Sequence, residues 1–237
     1  MRSFRNFIDA KNEITRDLNE LGISVFAGYQ SKEVSEADVE KLTTKELRDY
    51  DYIVLQPNPL DLRPTQPWAD AEWAERRKGI NGNPLNPGRA WKLRPDVWEP
   101  LLEDVSIRPG EIEQRFSYTY AARLAVNDIP HMLTEMRKHP TSRQIYISIW
   151  NPQLDSQRVG RRRVPCTLGY QIMYRNGKID IAYHMRSSDF ATHFDNDIWL
   201  ALQLQQFFAT ALDQPIGTFT HKIGSLHVYA SEVSHAF

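Results

Sequence analysis

Cysteine is almost missing from this chain of 237 residues, in which Cys166 stands alone. A single thiol cannot form an internal disulfide, so it serves either as a small packed hydrophobe or through thiolate chemistry. Charge excess is missing too, with 29 basic against 30 acidic side chains and a formal net charge of −1. That excludes the broad basic field of a nucleic-acid-wrapping protein and leaves phosphate recognition to a few local groups aimed at a small ligand. No apolar run approaches the roughly 20 residues a membrane helix needs. The opening Met1-Arg2-Ser3-Phe4-Arg5-Asn6 leads into no secretory apolar core. Repeats, low-complexity tracts and a clean domain boundary are also absent. The expectation is one α/β or α+β domain over 1–237, two small ones being the weaker alternative, in a cytoplasmic enzyme or binding protein.

What is present has a readable order. Phe4, Phe7, Ile8, Ile14, Leu18 and Leu21 recur at helical spacing before Gly22, which predicts a first helix. Charges crowding around Val39, Leu42 and Leu47 predict a second, exposed helix from Ser35 to Asp49, followed by a buried strand at Tyr52-Ile53-Val54-Leu55. Residues 57–95 hold half of the prolines and several glycines, and read as an irregular insertion around a short helix near Ala69 to Arg77. Asn127-Asp128-Ile129-Pro130 offers an N-cap with proline in the first turn of a helix ending near His139.

Arg143 to Trp150 alternates as a strand. Thr167 to Tyr174 and Lys178 to Met185 form two strand-like runs joined by Asn176-Gly177, a strong hairpin signal. Cys166 then opens a hairpin that Arg186 closes, and antiparallel geometry brings those ends close together. A long apolar helix from Ile198 to Leu212 follows Asp195-Asn196-Asp197 as cap candidates. Thr218 to Ile223 reads as a last strand, turned by Gly224-Ser225 into His227 and Tyr229.

A thiolate at one mouth of a hairpin with an arginine at the other supplies a nucleophile and a charge that lowers its pKa. Arg186 could instead fork onto a phosphate, with the Ser187 hydroxyl as a second donor. Each residue also has a plain structural reading. Cys166 can be a packed thiol, Arg186-Ser187-Ser188-Asp189 a surface turn, Asp197 a helix cap, and His227 with Tyr229 a polar pair on one strand face.

Taken in order, the strand ending Ser148-Ile149-Trp150-Asn151, Pro165-Cys166, the Asn-Gly hairpin, Arg186-Ser187-x-Asp189, Asp197 and His227-x-Tyr229 resemble the thymidylate synthase superfamily. The similarity runs from about Asp128 to Tyr229. Within it the chain looks more like the bacteriophage deoxycytidylate hydroxymethylases than like the synthases proper. It has Thr167 where synthases place histidine, Asn196-Asp197 where they place Phe-Asn, and Gly224-Ser225-Leu226-His227 for their Gly-Asp-x-His.

The resemblance implies an α+β fold with a mixed or antiparallel sheet packed by long helices, and a homodimer formed through the sheet. It implies Cys166 as the nucleophile adding to C6 of a pyrimidine nucleoside monophosphate, and 5,10-methylenetetrahydrofolate as one-carbon donor, with no metal. Arg186 and Ser187 would hold the 5′-phosphate, joined by Arg143 reaching across to the partner's site. Gln144 stands where the family has a second arginine, and Arg161-Arg162-Arg163 either compensates or is a solvated basic loop. His227 and Tyr229 would hold the sugar 3′-hydroxyl, while Trp98 and Asp189 would face the folate. The family's Glu-x-x-Trp carboxylate, which moves protons around the base, corresponds to Asp70 when anchored on Trp73, or to Glu72 in another helix register. A family tyrosine beyond Gly110 is either replaced by Phe116 or displaced to Tyr118.

At the Asp197 position the base is read. Uracil offers an N3 donor and an O4 acceptor, which suit an asparagine amide, whereas cytosine offers an N3 acceptor and an N4 donor. A carboxylate accepts from N4, and one proton shared with N3 completes the pair, so aspartate favours cytosine. The chain also ends at Phe237, soon after His-x-Tyr, where synthases continue into a lid. A more open intermediate would favour attack by water over hydride transfer. The expected activity is therefore C5 hydroxymethylation of dCMP or CMP. The alternatives are a cytidylate C5-methyltransferase, thymidylate synthase acting on dUMP, or an inactive nucleotide-binding relative. The setting is the cytoplasm, a host's if the gene is a phage's, with no membrane and no direct nucleic-acid partner.

Overall fold

The N-terminal pattern becomes strand β1 (Arg2–Phe4) and helix α1 (Phe7–Glu20) in a computed structural model that describes residues 1–27, 42–159 and 163–232. Asn6 separates them. Its side chain accepts from the Asp9 N–H at 2.8 Å, satisfying one of the orphan donors of a helix start. Phe7, Ala10, Ile14 and Leu18 form the helix face that is lost to solvent, each large apolar side chain contributing about 2 kcal/mol.

Strands β2 (Ile23–Phe26) and β3 (Thr43–Val54) follow. Residues 43–49 therefore correct the helix expected from Ser35 to Asp49, and residues 35–41 lie outside the described residues. The charged local pattern is overridden by pairing. β3 bonds β1 and β2 along one edge and the last strand along the other, and the β-branched Thr43 and Thr44 suit that pleated surface.

The chain divides into two compact units, Met1–Arg63 with Arg175–Phe237, and Pro64–Tyr174. The second unit opens on α2 (Trp68–Ile80), the helix expected near 69–77, then α3 (Pro95–Trp98). A two-stranded sheet of β4 (Leu102–Arg108) and β5 (Glu111–Phe116) comes next, followed by α4 (Tyr120–Ala125) and α5 (Ile129–Lys138). Asp128 caps α5 as expected, accepting from the His131 N–H at 3.1 Å. At Gly79 in α2 an added Cβ would lie 2.3 Å from the Ala121 carbonyl oxygen, so only glycine lets α4 come this close.

After β6 (Tyr146–Ser148) and α6 (Pro152–Asp155) the chain enters β7 (Thr167–Arg175). β6 pairs antiparallel with β7 and is much shorter than the strand expected from Arg143 to Trp150. At its end the Asn127 side chain bonds both the N–H and the C=O of Ser148, each at 2.9 Å.

Asn176 and Gly177, at φ 50° and 74°, make the two-residue turn read from the sequence. Beyond it lie β8 (Lys178–Asp189), α7 (Phe194–Ala211) and β9 (Ile216–Tyr229). In the first unit β3 is antiparallel to β9, β9 is parallel to β8, β1 is parallel to β3 and β2 antiparallel to it, giving a mixed sheet. Phe194, Ile198, Leu204 and Phe208 of α7 are buried, as are Tyr183, Phe219 and Ile223 of the sheet.

Three local expectations change here. β8 runs on past Met185 through Arg186-Ser187-Ser188-Asp189, so the surface-turn alternative for that stretch gives way to strand. α7 begins earlier, with His193 at its N-cap and no side-chain cap bond, so Asp195, Asn196 and Asp197 lie inside the helix. β9 does not turn at Gly224-Ser225. A Cβ on Gly224 would stand 2.9 Å from the Arg186 carbonyl oxygen, so this glycine serves close approach of β8. Between the Arg48–Ser225 and Tyr50–Ile223 pairs sits Asp49, with φ 50°, a left-handed conformation that aspartate tolerates better than most residues. Here the buried set on β9 changes parity, from Phe219, His221 and Ile223 to Leu226 and Val228. Ser225, His227 and Tyr229 consequently stay half-buried.

Candidate active site

In the second unit the nucleophile candidate is held on irregular backbone. Cys166 is partly buried, and polar bonds flank it on both sides. The Tyr118 hydroxyl donates to the Val164 carbonyl at 3.5 Å, and the Tyr120 hydroxyl lies 3.0 Å from Oγ1 of Thr167, whose side chain is completely buried. Ser117 Oγ donates to the Arg163 carbonyl at 3.4 Å. Of the two tyrosine alternatives, Phe116 instead packs edge-on against Trp91 and Trp98, with ring centroids 6.3 and 6.4 Å away. Tyr120 was not singled out in the sequence. It occupies the first turn of α4, whose Thr119 cap accepts from the Ala122 N–H.

The two acid/base candidates differ. Asp70 is exposed and tied to Gln66 at the start of α2, through its side chain at 3.2 Å and its backbone N–H at 3.3 Å. Glu72 accepts from Arg76 Nε at 2.9 Å. The Arg76 guanidinium, 5% exposed, lies 3.9 Å from the centre of the Tyr120 ring. Burial works against its charge, but Glu72 and the phenols of Tyr170 and Tyr120 outweigh burial and hold its pKa above the usual arginine value. Glu72, Arg76, Tyr120 and Thr167 thus form one chain of contacts ending next to Cys166. Nothing in the residue pattern singled out Arg76, because a basic residue in the last half of an exposed-looking helix is unremarked in sequence.

Trp98 stacks on Trp68 with centroids 5.8 Å apart and planes within 14°, and its indole N–H is buried without a partner. Arg163 is exposed, with its guanidinium over Trp98 at 4.8 Å and over Tyr118 at 5.3 Å. Arg161 and Arg162 lie outside the described residues. Arg143 is exposed and its carbonyl accepts from Gln171 Nε2 at 3.3 Å.

In the first unit the candidates stand in cross-strand rows. Ser225 is in register with Arg48 on β3 and Ser187 on β8, and His227 with Glu46 and Asp189. Arg186 is exposed at the close approach to Gly224. Asp189 has a local task, its Oδ1 accepting from the Ala191 and Thr192 N–H groups at 3.1 Å each. The His227 and Tyr229 rings meet edge to face at 5.8 Å, and His227 Nδ1 is buried without a partner. Asp195 is bound by Lys11 at 2.8 Å and the Arg63 N–H at 2.9 Å, and buried Asn196 donates to the Thr192 carbonyl at 3.5 Å. Asp197 is half-buried, and its own N–H donates to the His193 carbonyl at 2.9 Å. It is a helix residue, not a cap.

Among the described residues no group of three or more His, Cys, Asp or Glu side chains could hold a metal ion. Nor is any helix among them long and apolar enough to cross a membrane.

This architecture is shared with a solved protein. Thermostable thymidylate synthase A from Bacillus subtilis superposes with a TM-score of 0.71 over 98% of this chain and 82% of that one, at 18% identity. The family model described as Thymidylate synthase matches residues 57–236, and the chain belongs to the thymidylate synthase family. The match takes in the proline-rich 57–95 stretch that the sequence suggested was an insertion. Proteins named "Putative thymidylate synthase" from Methanocaldococcus jannaschii and Methanosarcina barkeri are 29% and 30% identical over 119 and 125 residues. Those alignments cover 49% and 51% of this chain and 53% and 56% of the relatives, so the chain spans about half the length of the curated relatives it matches.

Proposed function

We propose that the chain, acting as one catalytic domain in a homodimer, hydroxymethylates C5 of a cytidine monophosphate, dCMP or CMP, with 5,10-methylenetetrahydrofolate as co-substrate. The observation that carries the cytosine assignment is Asp197. With His193 at the N-cap of α7, the capping role that competed for this carboxylate is gone, and its chemistry suits the N4 amino group and N3 of cytosine.

In this reading the Cys166 thiolate forms a bond to C6, and the electron pair passed to C5 makes that carbon a nucleophile. The folate supplies a carbon at the oxidation level of formaldehyde. C5 takes that carbon and loses its proton, water adds the hydroxyl, and departure of Cys166 restores the ring. No hydride is consumed, so tetrahydrofolate and not dihydrofolate is released. Glu72, held by Arg76, is favoured over exposed Asp70 as the group that orders water and moves the proton. Arg186, Ser187 and the partner's Arg143 serve the phosphate, and His227 and Tyr229 serve the 3′-hydroxyl. Trp98 on its Trp68 platform offers the flat apolar surface a folate ring system needs, with Asp189 beside it in role.

Mass spectrometry of the nucleotide formed from dCMP, CMP and dUMP with methylenetetrahydrofolate tests this. A gain of CH2O on a cytosine nucleotide is expected. A gain of CH2 with the absorbance rise of dihydrofolate would replace it with a methyltransferase, and absence of turnover with a binding protein. Asp197→Asn should shift preference toward uracil nucleotides by tenfold or more, and an unchanged preference would refute the base assignment.

A further inference from the structure

Glu46 lies among the residues proposed to hold the sugar and has no part in the reading above. Across the antiparallel ladder it is the direct partner of His227, which on its other side is in register with Asp189. Directly opposed residues project from the same face of a sheet, with Cβ atoms about 5 Å apart. Glu46 and His227 are therefore neighbours on the face that the change of parity at Gly224 leaves half-buried. The Ser225 hydroxyl donates to Glu46 Oε1, which anchors the carboxylate one row from His227. His227 itself keeps a buried Nδ1 with no partner, with the Tyr229 ring edge-on beside it.

A ring nitrogen lacking a partner and an anchored carboxylate on one face offer more hydrogen-bonding capacity than a single hydroxyl uses. A ribose carries its 2′-hydroxyl on the carbon next to the 3′-hydroxyl. A carboxylate only accepts, through two oxygens, and is the side chain suited to a sugar hydroxyl beside another already engaged. Against a deoxyribose, Glu46 would meet a C–H and lose water without replacement.

We infer that Glu46 is a specificity-determining residue that accepts a hydrogen bond from the sugar 2′-hydroxyl, so that the chain uses the ribonucleotide, CMP rather than dCMP. The inference rests on the proposed sugar role of His227 and Tyr229.

The test compares kcat/KM for CMP and dCMP, and calorimetric binding of each nucleotide without folate, in the full chain and in Glu46→Ala, Glu46→Gln and Ser225→Ala. The wild type should prefer CMP by roughly ten- to hundredfold, the range set by one hydrogen bond to a charged acceptor. Glu46→Ala should lower that ratio at least tenfold, and Ser225→Ala several-fold through loss of the anchor. Glu46→Gln, which keeps the volume and one acceptor, should fall between, and it carries the test if the alanine variant does not fold. A wild-type preference for dCMP, or a ratio unmoved by the Glu46 substitutions, overturns the inference while leaving the proposed function standing. If no pyrimidine nucleoside monophosphate binds or reacts, the proposed function falls and this inference with it. Comparing UMP with dUMP reads the same sugar ratio should the base assignment be wrong.

Discussion

The two compact units present their candidate site residues by different means. In the first, Ser187, Asp189, Ser225, His227 and Glu46 stand on paired strands, so register sets their spacing to within the pleat of the sheet. In the second, Cys166 follows Val164-Pro165 on backbone that belongs to no ladder, and side chains hold it from outside. A strand resists a single lost contact because its neighbours share the constraint. A loop held through individual side-chain bonds, such as those of Ser117, Tyr118 and Tyr120, shares the constraint less. On the proposed roles, recognition on the sheet and reaction on the loop should separate in kinetics, the former in KM and the latter in kcat.

The largest effect expected is on the loop. Cys166→Ser should cut turnover by about 10⁴-fold or more, since a serine hydroxyl is a far weaker nucleophile without a dedicated base. Product formation followed by mass spectrometry checks it, and persistent activity would remove the covalent mechanism.

On the sheet, Gly224→Ala must push β8 away at Arg186, where the new Cβ would sit 2.9 Å from a carbonyl oxygen. We expect a loss of about 2 kcal/mol in denaturant unfolding and a rise of roughly tenfold in nucleotide KM, with smaller change in kcat. Equal losses in both parameters would break the contrast between the units.

Tyr120→Phe removes the hydroxyl 3.0 Å from the buried Thr167. Stability should fall by about 1 kcal/mol and kcat by roughly tenfold, with nucleotide KM within twofold. Because Cys166 is the only thiol, its alkylation rate reports the same loop without turnover. A change in KM alone would place Tyr120 on the recognition side.

The smallest effect concerns the core of the first unit. His221 is fully buried, with Nδ1 3.0 Å from the Tyr52 hydroxyl, Nε2 3.2 Å from Met185 Sδ and its ring stacked on Tyr183. A neutral imidazole satisfies these contacts, accepting from Tyr52 and donating weakly to the sulfur. Burial, assisted by His184, pushes its pKa from 6.5 down to about 3. The unfolded chain takes up the proton first, so this contribution is complete above pH 6.5 and lost as pH falls toward 3. Between pH 7 and pH 5.5 unfolding should become easier by about 1 kcal/mol, and His221→Gln should flatten that slope.

Local chemistry explains what was readable in advance. Asp128 caps α5 because its side chain bonds a neighbour three residues on, and Asn176-Gly177 turns because those two residues tolerate positive φ. Such features need no distant partner. The helix expected at 43–49 failed for the opposite reason: its backbone bonds lie with strands far away in sequence. Gly224 suggests a turn in sequence because glycine marks both turns and close approaches, and only the position of Arg186 tells them apart. Arg76 and Glu46 are marked by nothing local, because an ion pair or a cross-strand row has no signature until the chain has folded.

The sequence by itself determined the single thiol, the near-neutral charge, the helix cap at Asp128, the Asn-Gly turn and the ordered residues by which the family is recognised. All of these depend on residue type or on spacing over a few positions. Tertiary structure alone decided that Asp197 is no cap, that Glu72 belongs to Arg76 while Asp70 faces solvent, and that Glu46 stands opposite His227. Those outcomes depend on which distant backbone a residue meets, and strand register and side-chain burial are set by packing summed over the fold.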